Sequence, residues 1–324
     1  MSGPGRVAAR TLALAVMMAA AAVVLPRALP GRPLVGLGEG TGPLPAAVEA
    51  ELRRVYRLDR PLAEQLAHEM GRLLRADLGR SLVTHRPVRA MIADRLPWTA
   101  LLVGTAVVVS AALGVVLGTA AAWRPHGVAG RVVQPMVVGL GALPEALVAM
   151  VLIVILGTRV PLFPAGGAGT PFLAAAGWSW RVVLDALWHA VLPILTLVLG
   201  LVPAFSLLAR NALTPVLAAP FLLTARGKGL PRGRVLWHAW RNALPPVLTL
   251  LGLRLAFAMT GAALVERLFA YPGVGSLLFE AVARRDYPVL QGVFLVFGAV
   301  MLAVTAALDL LAAALDPRLR GDRA

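Results

Sequence analysis

Long apolar runs separated by short, mostly basic stretches organise the chain. Crossing about 30 Å of hydrocarbon takes about 20 mainly apolar residues. Five runs meet that length: Trp98–Trp123, Val132–Leu156, Ala186–Ala209, Asn242–Val265 and Val289–Leu315. A sixth, Thr11–Leu25, is shorter and follows Arg10. It reads either as a first span or as a cleaved signal peptide, with small residues at Ala19–Ala22 behind its apolar core. Retaining it gives six spans and puts both termini on one side. The segment 26–97 carries weaker helical patterns. Asp59 and Pro61 mark a helix start ahead of Leu62, Leu66, Met70, Leu73 and Leu74 at helical spacing. A second short helix is predicted over Val88–Leu96, bounded by Pro87 and Pro97. In the second span Ser110, Gly114, Gly118 and Ala122 recur every four residues, which predicts a close packing face between helices.

Composition agrees with that pattern. Of the 324 residues 59% are hydrophobic and 15% charged, against about 45–50% and about 25% in soluble globular proteins. A disordered chain and an ordinary soluble enzyme are both excluded. The net charge is +15, but the basic residues fall between apolar runs rather than on one soluble face, so no nucleic-acid partner follows from it. They orient the chain instead. With the N-terminus inside, segments 1–10, 123–131, 210–241 and 316–324 hold thirteen Arg or Lys against two acids. The short outer loops are nearly balanced, so the positive-inside rule gives both termini in the cytoplasm. The expected layout is a first transmembrane helix over 1–25 and an extracytoplasmic segment over 26–97. A five-helix core follows over 98–315, with a cytoplasmic loop at 210–241, and then a cytoplasmic tail over 316–324. Cysteine is absent, so disulfides and iron–sulfur clusters are excluded.

Catalytic patterns are missing. No GxxxxGK[ST] phosphate loop occurs, and Gly227-Lys228-Gly229 lacks both the leading glycine and the hydroxyl residue. His68-Glu69 has no second His four residues on, no GxSxG elbow appears, and the five His have no metal-ligand spacing. The informative segment is the loop 210–241, which is basic, free of acids and punctuated by Gly and Pro. It carries Thr224-Ala225-Arg226-Gly227-Lys228-Gly229-Leu230 and then Arg241-Asn242-Ala243-Leu244-Pro245.

Those two runs resemble the cytoplasmic "EAA" loop of the permease subunits of binding-protein-dependent ABC importers, in the dipeptide, oligopeptide, nickel and opine branch. Further matches lie on both sides. They are Asp77-Leu78-Gly79 with Ser81, Arg86-Pro87-Val88, Arg95-Leu96-Pro97, His189 through Pro193, Tyr271 through Gly275, Arg285 through Val289, and Asp316-Pro317-Arg318. The resemblance implies an all-α membrane protein with six transmembrane helices, the type I ABC importer permease fold, N-in and C-in, in the cell membrane. It implies that this chain forms half of a pore with a second permease. It also implies two ATPase subunits, which hold the ATP and Mg while this chain binds no cofactor, and an extracytoplasmic substrate-binding protein. Small peptides are the expected cargo, and nickel or an opine the alternative. The resemblance makes Thr224, Ala225, Arg226, Gly227, Lys228 and Gly229 the ATPase-coupling element. Ala225 and Gly229 would take its small positions, and Arg226 and Lys228 would stand for contacts with the ATPase or lipid headgroups. Pro220 should start this helix, and Gly227 departs from the usual Ala.

Three ionisable residues fall well inside the spans: Glu145, Arg254 and Asp309. Such residues face protein or water rather than lipid, so all three are candidates for the translocation path. Glu145 and Arg254 are of opposite sign at one expected depth, which suggests an ion pair. An ion-coupled secondary transporter would require internal repeats with broken helices, and no repeat relates the two halves. An intramembrane enzyme would require a nucleophile–base set, and none occurs.

Overall fold

The computed structural model describes residues 77–170 and 179–315, with parts of 11–24 and 60–75; the side chains at 256, 260 and 309–315 lie outside that description. The described chain is helical, and extended backbone pairs only at an isolated bridge between Arg80 and Pro87. In chain order the helices are α1 (Ala13–Ala22), α2 (Val88–Trp123), α3 (Ala129–Leu140), α4 (Glu145–Arg159) and α5 (Trp180–Leu217). Then follow α6 (Pro220–Gly227), α7 (Arg232–Leu268), α8 (Val274–Arg284) and α9 (Tyr287–Leu315). Among the described residues four helices are long and apolar enough to cross a membrane, or five with α3 and α4 taken as one bent span. Of the helix expected after Pro61, Glu64, His68 and Met70–Arg72 are helical; Asp59 and Leu62 lie outside the described residues, as does the tail 316–324.

Two elements depart from the sequence pattern. The short helix expected over Val88–Leu96 and the span after it are one helix, α2, which runs through Pro97. A proline inside a helix costs about 3 kcal/mol, and burial on both sides of it offsets that cost. Val88, Ile92, Leu102, Val103 and Ala106 are all buried, and Arg95, two residues before Pro97, is held by Glu280 at 2.9 and 3.0 Å. The third span is not continuous. α3 and α4 meet at 96° across Gly141–Pro144. Pro144 has φ −58° and ψ 133°, which ends one helix and starts the next.

The chain divides into two compact units, one of Met1–Thr99 with Pro272–Ala306 and one of Ala100–Tyr271 with Ala307–Ala324. In the first, distant motifs meet. The Asp286 carboxylate accepts the Ser81 hydroxyl and, at 3.1 Å, the Leu82 N–H, all buried. The Val274 N–H donates to the Thr99 hydroxyl at 2.8 Å. Asp77 accepts Arg72 Nε at 3.1 Å and the Gly79 N–H at 2.9 Å. Those two donors, Arg72 first, hold its carboxyl below the usual range. Gly79 needs its φ of +80°, and a Cβ there would strike the Arg72 guanidinium.

The second unit is built on α5 and α7, which pack along each other. The four-residue stripe of α2 lies against α5. A Cβ on Gly114 would meet Phe205, and one on Gly118 would meet the Ser206 carbonyl and, at 2.8 Å, the Ala209 Cβ. Without side chains at those two positions the helices approach to backbone contact. α5 and α7 run well past the apolar limits of their spans, to Leu217 and from Arg232, because their extensions are amphipathic rather than polar.

Candidate functional site

Helix α6 sits between the extended ends of α5 and α7. It begins at Pro220, as the sequence predicts, after Ala219 in extended conformation. Proline suits this first position because its missing N–H would be unpaired there anyway. Its inner side is anchored by Leu222, which is fully buried among Ala122, Leu213, Val235, Ala239 and Ala243, with Trp123, Leu230 and Trp240 packed around them. Burying one such leucine contributes about 2 kcal/mol. The helix closes in a Schellman turn. The Leu230 N–H reaches the Ala225 carbonyl at 3.3 Å, and the Gly229 N–H reaches Arg226 at 2.9 Å. Gly229 takes φ +73°, the left-handed conformation that this turn requires and that glycine adopts without strain. Leu230 then returns to the apolar cluster.

The six residues Thr224–Gly229 expected to act in coupling, and two apolar neighbours before them, have places on this scaffold. Phe221, Leu223, Thr224, Gly227, Lys228 and Gly229 are exposed, and Ala225 is half-buried. Nothing in the chain approaches the Cβ positions of Gly227 or Gly229 within 4 Å. Gly227 is the last helical residue rather than an interior one, so its helix penalty is small at a fraying end. Arg226 does not stand clear of its own chain. Its guanidinium lies 5.6 Å from the centroid of the Trp123 ring at the end of α2, within cation–π range. Composition alone did not reveal Leu222, Leu230 and Trp123 as the supports of this helix. The signal for Leu230 was its position just after Gly229, where the turn calls for an apolar residue.

The ionisable residues of the spans divide differently. Glu145 is the first residue of α4. One carboxylate oxygen lies 3.2 Å from where a Cβ on Gly200 would stand, so α5 presents bare backbone to it. Arg254 on α7 is exposed, and α7 packs against α4. Among the described residues no ion pair within 4.0 Å joins the two. Asp309 falls on α9, and its side chain lies outside the described residues. The π-helical turns at Ala129–Val133 and Ile153–Arg159 flank the bent span. At the start of α5, Asp185 accepts the Thr170 hydroxyl at 2.9 Å and faces His189 at 3.5 Å. On the loop 160–170 the Gly167 N–H donates to the Phe269 carbonyl at 2.8 Å.

Comparison with known proteins shows the family. Residues 114–321 match the family described as the binding-protein-dependent transport system inner membrane component. A provisionally named peptide transport system permease protein of Brucella abortus is 32% identical over 317 residues, covering 97% of each chain. The glutathione transport system permease proteins of Salmonella choleraesuis and Pectobacterium atrosepticum are each 34% identical, covering 85% of each chain. Permeases of this family work inside ABC importers beside ATPase and substrate-binding partners, and they are transport subunits rather than enzymes. An all-helical chain, apolar spans in a bacterial-type inner membrane and alignment over nearly its whole length lead to one assignment: this chain belongs to the inner-membrane permease family of binding-protein-dependent transport systems, with the type I permease fold.

Proposed function

We propose that this chain is a pore-forming permease of a short-peptide importer and that α6 is the element through which separate ATPase subunits drive it. The observation that carries the coupling part is a short helix anchored from below by Leu222, with a bare, exposed glycine-bearing end at Gly227–Gly229. A helix so held can transmit force from a partner to α2, α5 and α7 without bending away. Lys228 stands free for polar contact with that partner, while Arg226 braces the helix on Trp123. In this reading Thr11–Leu25 is the first of six spans, both termini are cytoplasmic, and a second permease completes the pore. The ATPases hold ATP and Mg, and the binding protein meets the opposite face. Glu145, Arg254 and Asp309 belong to the translocation path. Peptide cargo is favoured over nickel by the relatives, which are named for peptide and glutathione transport. Affinity purification of the tagged chain from membranes co-expressing its transport system tests the coupling. The ATPase chains should co-elute with wild type and be lost with Leu222→Asp. Equal recovery of ATPase from both would remove α6 from this role.

A further inference from the structure

Backbone that leaves helical form at membrane depth is tolerated only where it is buried in protein or lines a cavity. The break at Gly141–Pro144 is such a place, with α3 and α4 at 96°. One charge opens the helix that follows it, and an opposite charge lies on a helix packed against that one. Glu145 opens α4, where the free N–H groups and the helix dipole favour a carboxylate. It is half-buried, and Gly200 leaves room beside it. Arg254 lies on α7, which packs against α4. It is exposed on the same stripe as Phe257, Gly261 and Leu264, and a Cβ added at Gly261 would meet nothing within 4 Å. Opposite charges on long side chains of two packed helices would be expected to close on each other. These two form no ion pair within 4.0 Å among the described residues.

We infer that Glu145 and Arg254 form a transit site for a zwitterion, in which Glu145 receives the ammonium end and Arg254 the carboxylate end of a short peptide. The inference rests on the short-peptide reading above. A peptide with free termini brings one charge of each sign, a short distance apart, into a region where unpaired charge is costly. A carboxylate takes an ammonium through charge-assisted hydrogen bonds, and the planar guanidinium grips a carboxylate with two parallel ones. The mutual attraction of the two side chains competes with the substrate. The site is therefore weak by construction, as conduction requires, because a transit site must release what it binds.

The test uses the complex of permeases and ATPases in lipid nanodiscs without the binding protein, so that only the pore reads the peptide. Labelled trialanine is displaced by trialanine, N-acetyl-trialanine and trialanine amide. On wild type each blocked form should compete about tenfold more weakly. Glu145→Gln should abolish the discrimination against N-acetylation alone, and Arg254→Gln the discrimination against amidation alone. If Arg254→Gln does not assemble, Arg254→Lys keeps the charge without the two-point grip and should cut the amide discrimination to about threefold. Unchanged discrimination in the assembled variants overturns the inference, as does a wild type that treats all three peptides alike. Uptake of trialanine by the complete system is measured beside it. Uptake with no pore discrimination sinks the transit site alone, whereas absence of uptake removes the peptide reading and the site together.

Discussion

Gly229 carries two demands that substitutions separate. Its φ of +73° serves the helix end, and the open space around it is what the proposed ATPase contact would use. Asparagine tolerates left-handed backbone better than other side chains, while alanine there costs about 1–2 kcal/mol. If the turn alone matters, substrate-stimulated ATPase activity should fall in the order Gly, Asn, Ala, Val. If the partner needs bare backbone, Asn should fail as badly as Ala, and Gly229→Asp should abolish coupling. Membrane insertion should be normal throughout, because the residue lies beyond the spans. A Gly229→Asp complex with wild-type uptake would contradict both demands. Leu222 sets the other limit. Truncating a fully buried leucine costs about 2–5 kcal/mol, so Leu222→Ala should loosen α6. Protease cleavage within Pro220–Gly227 should then speed up several-fold, while a matched change at exposed Leu223 should leave it near wild type.

Between elements, small residues on α2 let it approach α5 to backbone contact. Gly118→Val would put methyl groups where the Ser206 carbonyl lies. Overpacking of this kind costs about 1–3 kcal/mol, so recovery of assembled complex by gel filtration should drop. Gly104→Ala, which meets nothing within 4 Å, should leave recovery unchanged. This face was legible in the chain as a four-residue period of small side chains. The bend between α3 and α4 was not. Gly141-Ala142-Leu143-Pro144 is nearly as apolar as its surroundings, so hydropathy runs straight across it and only the proline marks a boundary. Pro97 carries the same local signal, yet α2 continues through it, held by burial and by the Arg95–Glu280 pair. One proline breaks a helix and the other does not, and the difference lies in contacts made by residues far off in sequence. α5 and α7 likewise outrun their apolar runs, because Leu213, Val235, Ala239 and Ala243 bury one face each in an otherwise basic segment. A period of four there was readable, but charge masked it. Pro144→Ala should restore the missing hydrogen bond and favour a straighter span. Uptake should fall severalfold with assembly intact, and uptake at wild-type rate would mean that the break has no part in transport.

Taken as a whole, and on the proposed reading, the molecule joins three things that a transport subunit needs. A pair of long packed helices forms its frame, a short helix anchored by Leu222 is the proposed receiver of force, and a broken span bears charge on the proposed path of the cargo. The apolar runs, the basic loop and the ordered motifs of the family were legible in sequence. The supports of α6 and the room at Gly200 depend on packing and emerged only in three dimensions. ATP-driven peptide import is the central claim, and accumulation of labelled trialanine by proteoliposomes tests it most directly. The vesicles hold this chain with its partner permease and ATPases, ATP on the ATPase side and the binding protein on the other. Accumulation should require ATP and the binding protein together, fall to background with Gly229→Asp, and be unaffected by collapse of ion gradients. Accumulation driven by an ion gradient without ATP, or import of nickel and no peptide, would contradict the account.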